Sequence, residues 1–440
     1  MQSKSNQIKI AVIGGGASGL ATAYELIKLG FIVDLYEKSN NLGGLAGAIS
    51  LSKGRIDSFY HHLFKTDKYI LDFLKENNML SEIKFKRTAT GHIWNNKYYD
   101  ISGIFSLLKS RLLTKWGFLR ILVGGALIKY FPLSKRFNQK SIYKLSHILF
   151  GEEAASKVWN PLLYYKFGKY AELIPYSWLR TRIQDRTIEL GYINNGFEVV
   201  YEKIAKSIVK KGGRIFMNMS VDDIKLSKNK ENLLINGRQY NRAVITTSPK
   251  ANKIILKNLS YKSKEVKFLG ALCGVIEFNK RPLPSYWVGI ADTNDKHNFN
   301  YKHFLAAISY SELDETWNKR GKPTWPLYLA AYCTKKDFLK YSEEEWKTKM
   351  IKAAIELNKL SNIDKINENN IITSKLSFAE YAQPILSPGQ DLVPNPESAK
   401  YCYFANMHNI FPNDRGQNRS FYLAKKIANR IYKELIYSSK

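Results

Sequence analysis

The order of apolar and polar positions divides the chain into recognisable elements. Ile8 to Ile13 (IKIAVI) is an almost wholly apolar run, the mark of a short parallel strand buried on both faces. It runs into Gly14-Gly15-Gly16-Ala17-Ser18-Gly19, after which Leu20 to Leu29 keeps a helical period that Gly30 closes. Phe31 to Tyr36 reads as a second strand ending on Glu37. A turn at Gly191 to Phe197, a helix over Glu198 to Lys210 and a strand from Arg214 come much later in the chain. Arg242 to Thr247 is predicted as a strand, closed by Ser248-Pro249. Tyr403 to Met407 is predicted as a buried strand and Arg419 to Tyr437 as a helix. Between Ile101 and Leu133 apolar residues recur at helical spacing with Lys and Arg interspersed, and Trp325 to Tyr332 is strand-like.

The strongest chemical signal is the turn between the first strand and the first helix. Its G-x-G-x-x-G spacing assigns Gly14 to the tight turn, Gly16 to close backbone approach by a pyrophosphate, and Gly19 to packing of helix on strand. The pyrophosphate would rest on the helix N-terminus at Ala17 and Ser18, where free N–H groups and the dipole favour anions. Glu37, placed to accept hydrogen bonds from ribose hydroxyls, disfavours a 2′-phosphate. Strand, turn, helix, strand and acid in this order predict a Rossmann-like dinucleotide site.

The residues after Glu37 select the dinucleotide. Lys38-Ser39-Asn40-Asn41-Leu42-Gly43-Gly44-Leu45 resembles the flavin-binding signature of the amine oxidase, protoporphyrinogen oxidase and phytoene desaturase superfamily, although Leu45 stands where that family usually has Arg or Lys. The resemblance implies FAD. It extends to Gly191–Ile215, to Met219–Ile224, which resembles the family's strand whose valine backbone, Val221 here, would contact the adenine, and to a C-terminal strand, loop and helix that close over the flavin. It implies Gly416, Gln417 and Asn418 at that last turn, with Arg415 as a phosphate or flavin contact or, alternatively, paired with Asp414. The expected fold is α/β: a discontinuous Rossmann-like FAD-binding domain (1–60, 191–255 and 396–440) with an α+β substrate domain (61–190 and 256–395).

Composition adjusts this picture only slightly. The 440 residues carry 68 Lys+Arg against 38 Asp+Glu, a net charge of +30. The excess is spread along the chain and forms no nucleic-acid-binding module, so anionic lipid or a phosphorylated substrate is the better partner. Cys273, Cys333 and Cys402 lie far apart and lack metal-ligand spacing, so no metal site is expected and a reducing compartment fits. With polar residues first and a strand directly after, no secretory signal peptide is expected, which predicts a cytoplasmic protein, peripheral on the inner face of the membrane if it meets lipid. Oligomeric state is left open.

Candidates for the substrate side are fewer. His61 and His62 stand in Asp57–Asp67, a segment that also resembles the histidine loop of UDP-galactopyranose mutase. They are read either as flavin or substrate contacts able to move a proton, or as a packed structural pair. If that loop is a strand, only one of them can face the flavin. Arg180, Arg182 and Arg186 are candidates for binding a phosphate, with Arg182 and Arg186 on one helical face; the alternative pairs them with Asp185 and Glu189. The 101–133 stretch reads either as a membrane-surface segment or as a pair of helices buried in the substrate domain. The superfamily resemblance implies hydride transfer between a substrate carbon and flavin N5, on a hydrophobic or lipid-linked substrate. A redox-neutral enzyme acting on a nucleotide sugar, and a non-catalytic flavin-binding membrane protein, are the two other readings.

Overall fold

The computed structural model describes residues 8–131, 135–138, 140–259, 261, 266–290, 304–314, 316–386, 399–410, 413 and 415–437. The first strand, Lys9–Ile13, is apolar on both faces for a reason visible in its packing. Ile10 and Val12 enter one core and Ala11 and Ile13 another, on opposite sides of the sheet. That sheet has five parallel strands in the order 214–216, 32–36, 9–13, 242–245 and 402–404. Segments hundreds of residues apart thus build one layer. Buried Asp34 fastens its edge, receiving Arg214 Nε and Nη2 at 2.7 Å each and the Tyr240 hydroxyl.

The helix Ala17–Lys28 covers one face of this sheet with Leu20, Ala23, Leu26 and Ile27, and the C-terminal helix Gln417–Tyr432 packs beside it. A second, seven-stranded mixed sheet runs in the order 371–385, 267–278, 325–333, 306–309, 287–290, 90–94 and 97–100. Along Trp325–Cys333, Leu327, Leu329 and Ala331 face the outer core, whereas Tyr328, Ala330 and Tyr332 face the nucleotide layer. Helices Ile104–Ser110, Lys115–Tyr130, Ile142–Ala154, Asn160–Phe167 and Tyr176–Asp185 enclose a further core built on Ile128, Phe150, Phe167 and Leu179. This is the expected α/β architecture.

Several elements differ from expectation. Met219–Ile224 is not a strand, because Met219 N–H donates to Glu37 O at 2.9 Å and Asn218 N–H to Ser39 O at 3.0 Å, tying the chain across the end of the second strand. Pairing begins only at Ile224–Leu226. The last parallel strand is Cys402–Phe404, and the C-terminal helix starts two residues early, at Gln417. Phe411, Pro412, Asp414 and the 395/396 boundary lie outside the described residues.

Candidate active site

The glycine turn is held by its own backbone. Gly14 has φ +106°, donates its N–H to Tyr36 O at 2.8 Å, and has Thr246 Oγ1 only 2.6 Å from where a Cβ would stand. A Cβ on Gly19 would lie 1.8 Å from Gly14 O, so no side chain fits there. Gly16 caps the helix Ala17–Lys28 in extended conformation with no side-chain cap, leaving the first amides to an external acceptor. Gly43 (φ +95°) donates to Gly15 O at 2.9 Å and forms a bridge with Gly16, which brings the Gly43-Gly44 pair against the turn. Leu45 enters the short helical turn just beyond the pair, and Lys38 is exposed.

Glu37 is the third part of this edge. One carboxylate oxygen accepts from Gly15 N–H at 2.7 Å, and the other from Ser39 N–H at 2.9 Å and Ser39 Oγ at 2.8 Å. Val221, buried, packs into the core formed with Ile13, Tyr36 and Ile245. Ser18 is occupied by the protein itself, donating to Ala405 O at 2.7 Å and so tying the helix to the last parallel strand.

A second uncapped helix start lies close by. Gly416 precedes Gln417–Tyr432 without a side-chain cap, and no atom stands within 4 Å of a Cβ placed on it. The neighbouring side chains serve the fold: Gln417 Oε1 accepts from Tyr201 at 2.8 Å, and Asn418 Oδ1 accepts from Tyr69 N–H at 2.8 Å, capping the helix Lys68–Glu76. Arg415 Nε donates to Gln383 Oε1 at 3.0 Å and its Nη2 to the Tyr332 hydroxyl. Two uncapped helix N-termini, a glycine cradle and a strand-end carboxylate form a donor and acceptor set that fits a dinucleotide such as FAD.

Ser58 to His62 is irregular, with pairing starting at Leu63–Phe64, so the strand argument for separating the two histidines does not apply. His61 lines a small cavity with Asp57, Tyr60, Tyr192, Tyr286, Tyr310 and Tyr328, and its buried Nδ1 has no hydrogen-bond partner. Burial, then the charge of Arg415, pushes it down to about 4. His62 Nδ1 lies 3.2 Å from the Tyr286 hydroxyl, and burial followed by Arg186, His61 and Arg182 pushes it to about 3. Both rings are therefore neutral at pH 7. Asp57, in the same cavity as His61, is raised by burial to about 7 although it accepts from Tyr192 at 2.8 Å and Phe197 N–H at 3.1 Å.

A separate cleft beside Arg415 is mostly apolar, with Phe167, Ile174, Trp178, Pro384, Met407 and Ile410 in its walls and Arg415 at its polar side. Cations gather on Trp178, which lines it, and on Tyr332, which Arg415 joins to it. Lys166, only 4% exposed, has its ammonium 4.9 Å from the Trp178 ring centre and 5.9 Å from that of Tyr332. Arg182 lies 5.2 Å from Trp178, and Arg415 lies 5.4 Å from Tyr332. The arginine block is thus reordered. The helix ends at Asp185, so extended Arg186 does not share a helical face with Arg182, while Arg180 keeps a buried Nε without a hydrogen bond. The acids proposed as their partners are bound elsewhere, Asp185 by Arg419 at 2.6 Å and Glu189 by Lys65.

Sequence reading missed Asp57, Lys166, Tyr192, Tyr328, Tyr332 and Gln383 as candidate site residues. The alternation of Tyr328, Ala330 and Tyr332 along one strand was an available signal for the two tyrosines there. Cys273, Cys333 and Cys402 are free thiols, each pushed up to about 12 chiefly by burial, and no metal-ligand cluster occurs among the described residues.

A family model described as flavin containing amine oxidoreductase matches residues 17–408. The chain belongs to that family. The flavin-containing amine oxidoreductases bind FAD, in agreement with the glycine cradle and strand-end carboxylate of this chain. Similar solved folds include a candidate protoporphyrinogen oxidase from Exiguobacterium sp. 255-15 (TM-score 0.73, 12% identity, covering 97% of this chain and 99% of that one). Reduced UDP-galactopyranose mutase gives TM-score 0.71 at 15% identity over 96% and 93% of the two chains. Cyclohexylamine oxidase from Brevibacterium oxydans IH-35A gives 0.67 at 13% over 97% and 99%. At these identities the likeness is one of fold. Flavin-containing monooxygenase 3 of Homo sapiens is 33% identical over 104 residues, 18% of this chain and 20% of that protein, so the chain spans about a fifth of the length of the curated relatives it matches.

Proposed function

We propose that this chain is an FAD-dependent oxidoreductase that takes a hydride from a carbon of a hydrophobic, phosphate-bearing substrate met at a membrane surface, with substrate entering by the apolar cleft beside Arg415. The observation that carries the reading is an apolar cleft lined by Trp178 and Arg415, with Lys166 and Arg182 stacked on that same Trp178 and Arg415 on Tyr332. FAD, when bound, supplies the hydride acceptor. Gly14, Gly16, Ala17, Ser18 and Gly19 would shape the pyrophosphate seat, Gly43, Gly44 and Leu45 would lie along the cofactor, and Glu37 would take the ribose with Lys38 at its outer side. Val221 would border the adenine. Gly416, Gln417 and Asn418 would offer backbone N–H groups to the negative end of a reduced ring. Neutral His61 would act as a hydrogen-bond partner rather than as an acid, whereas His62, bonded to Tyr286, would position the loop. The segments that hold these residues support the division into a discontinuous cofactor domain and a substrate domain.

The test is anaerobic mixing of the FAD-loaded protein in detergent with a polyprenyl phosphate and, beside it, with one porphyrinogen, one polyene and one long-chain amine that lack the phosphate, watching the flavin band. Bleaching by an apolar compound supports the reading. The cation group also suits a diphosphate, which favours a mutase-like second reading. Turnover of a UDP-hexose by the dithionite-reduced protein, with no net electron transfer, would replace the first reading with the second.

A further inference from the structure

The helix Lys115–Tyr130 is apolar on two opposite sides. Gly117, Gly124 and Ile128 turn inward and are buried. Trp116, Leu119, Val123, Leu127 and Tyr130 recur every three or four residues on the other side, and they stand 74%, 46%, 51%, 39% and 72% exposed. Phe105, on the preceding helix, adds a ring that is 80% exposed. A folded domain rarely leaves so much contiguous apolar surface in water without a use for it.

The surrounding charge has one sign. From residue 101 to 151 the sequence holds nine Lys or Arg and no Asp or Glu. Lys109, Arg111, Lys115, Arg120, Lys129 and Lys144 are exposed around the apolar stripe. A second copy of this chain, pairing through the same face, would bring these cations together, so the charge argues against self-association. No helix among the described residues is long and apolar enough to cross a membrane. A surface with aromatic and aliphatic tips inside a cationic rim is complementary to the headgroup boundary of an acidic bilayer.

We propose that the Phe105–Tyr130 face docks onto anionic phospholipid, lying in the plane of the interface. The docking stands on the exposed face alone, and only its use in substrate supply rests on the proposed hydride transfer from an apolar substrate. That use has a structural route. Gln184 Nε2 donates to Ile128 O at 3.3 Å, so the helix Tyr176–Asp185 rests directly on the docked helix, and its Trp178 lines the cleft.

The experiment is co-sedimentation of the FAD-loaded full chain with phosphatidylcholine vesicles, with and without a third of phosphatidylglycerol. The wild type is expected to bind the anionic vesicles, and Phe105→Ser/Trp116→Ser to bind about tenfold or more weakly, as when large side chains no longer leave water. Leu339→Ser, at a 66% exposed site outside this face, is expected to bind like the wild type. Flavin content confirms folding of every variant. Equal binding by the double variant would reduce the effect to diffuse charge and overturn the proposal. So would an absence of binding together with a dimer that Trp116→Ser dissolves. Because binding is read without substrate and flavin bleaching without vesicles, failure of either leaves the other standing.

Discussion

Substituting Gly19 by Ala tests the nucleotide edge at its tightest point. The added methyl would lie 1.8 Å from Gly14 O, and within 3.0 Å of both Gly14 C and Thr246 Oγ1. Ordinary contact begins near 3.4 Å, so the helix start or the turn must move by about 1.6 Å. Such overpacking costs about 1–3 kcal/mol. It also threatens the Thr246 Oγ1 bonds to Ile13 O at 2.8 Å and Gly14 O at 3.2 Å, which hold the turn to the next strand. A shift of that size also moves the helix amides relative to Gly43 and Glu37. FAD affinity should fall by about two orders of magnitude, equivalent to about 3 kcal/mol, beyond the loss of stability. Flavin-fluorescence titration of the apoprotein and thermal melts measure the two effects separately. Gly125→Ala serves as control, since its Cβ meets nothing within 4 Å in a helix and should be neutral or slightly stabilising. A Gly19→Ala protein with wild-type FAD affinity and melting temperature would refute the packing argument.

Other substitutions reach different parts of the account. Glu37→Gln removes a charged acceptor from Gly15 and Ser39, and should weaken FAD binding about ten- to a hundredfold in the same titration. Ser18→Ala loses the 2.7 Å bond to Ala405 O and should cost about 1 kcal/mol in denaturant unfolding. Asp57, at about 7 in the folded protein against an ordinary 3.8, binds a proton that the unfolded chain has released. Its contribution therefore destabilises the fold as pH rises from about 4 to about 7 and is level above that, by about 4 kcal/mol at most. Asp57→Asn should remove this slope, so parallel stability–pH profiles for the two proteins would contradict the assignment.

The nucleotide edge was legible because its physics is local. A buried strand, a turn whose φ and crowding demand glycine, a helix and an acid lie within 30 residues, and each leaves a mark in the sequence. The returning strands at 242–245 and 402–404 were legible as apolar runs, although their place in one sheet comes from pairings across hundreds of residues. Val221 packs with Ile13 and Tyr36, yet the strand expected around it is absent because Ser39 O and Glu37 O take the amides of Asn218 and Met219 where it would begin. The arginine block shows the opposite limit. Helical spacing grouped Arg182 with Arg186, but the helix stops at Asp185 and the cations that Arg182 joins, Lys166 and Arg415, come from other elements. For 101–133 the sequence could not choose, since helical period is the same for a face turned to the core and one turned outward, and Lys115–Tyr130 carries apolar residues on both.

The most direct test of the central claim is the visible spectrum of the purified chain, together with release and quantification of its cofactor. The account predicts a yellow protein that yields one FAD per chain and whose flavin is reduced by dithionite. A colourless protein that cannot be reconstituted with FAD, or that retains only a nicotinamide dinucleotide, would contradict it.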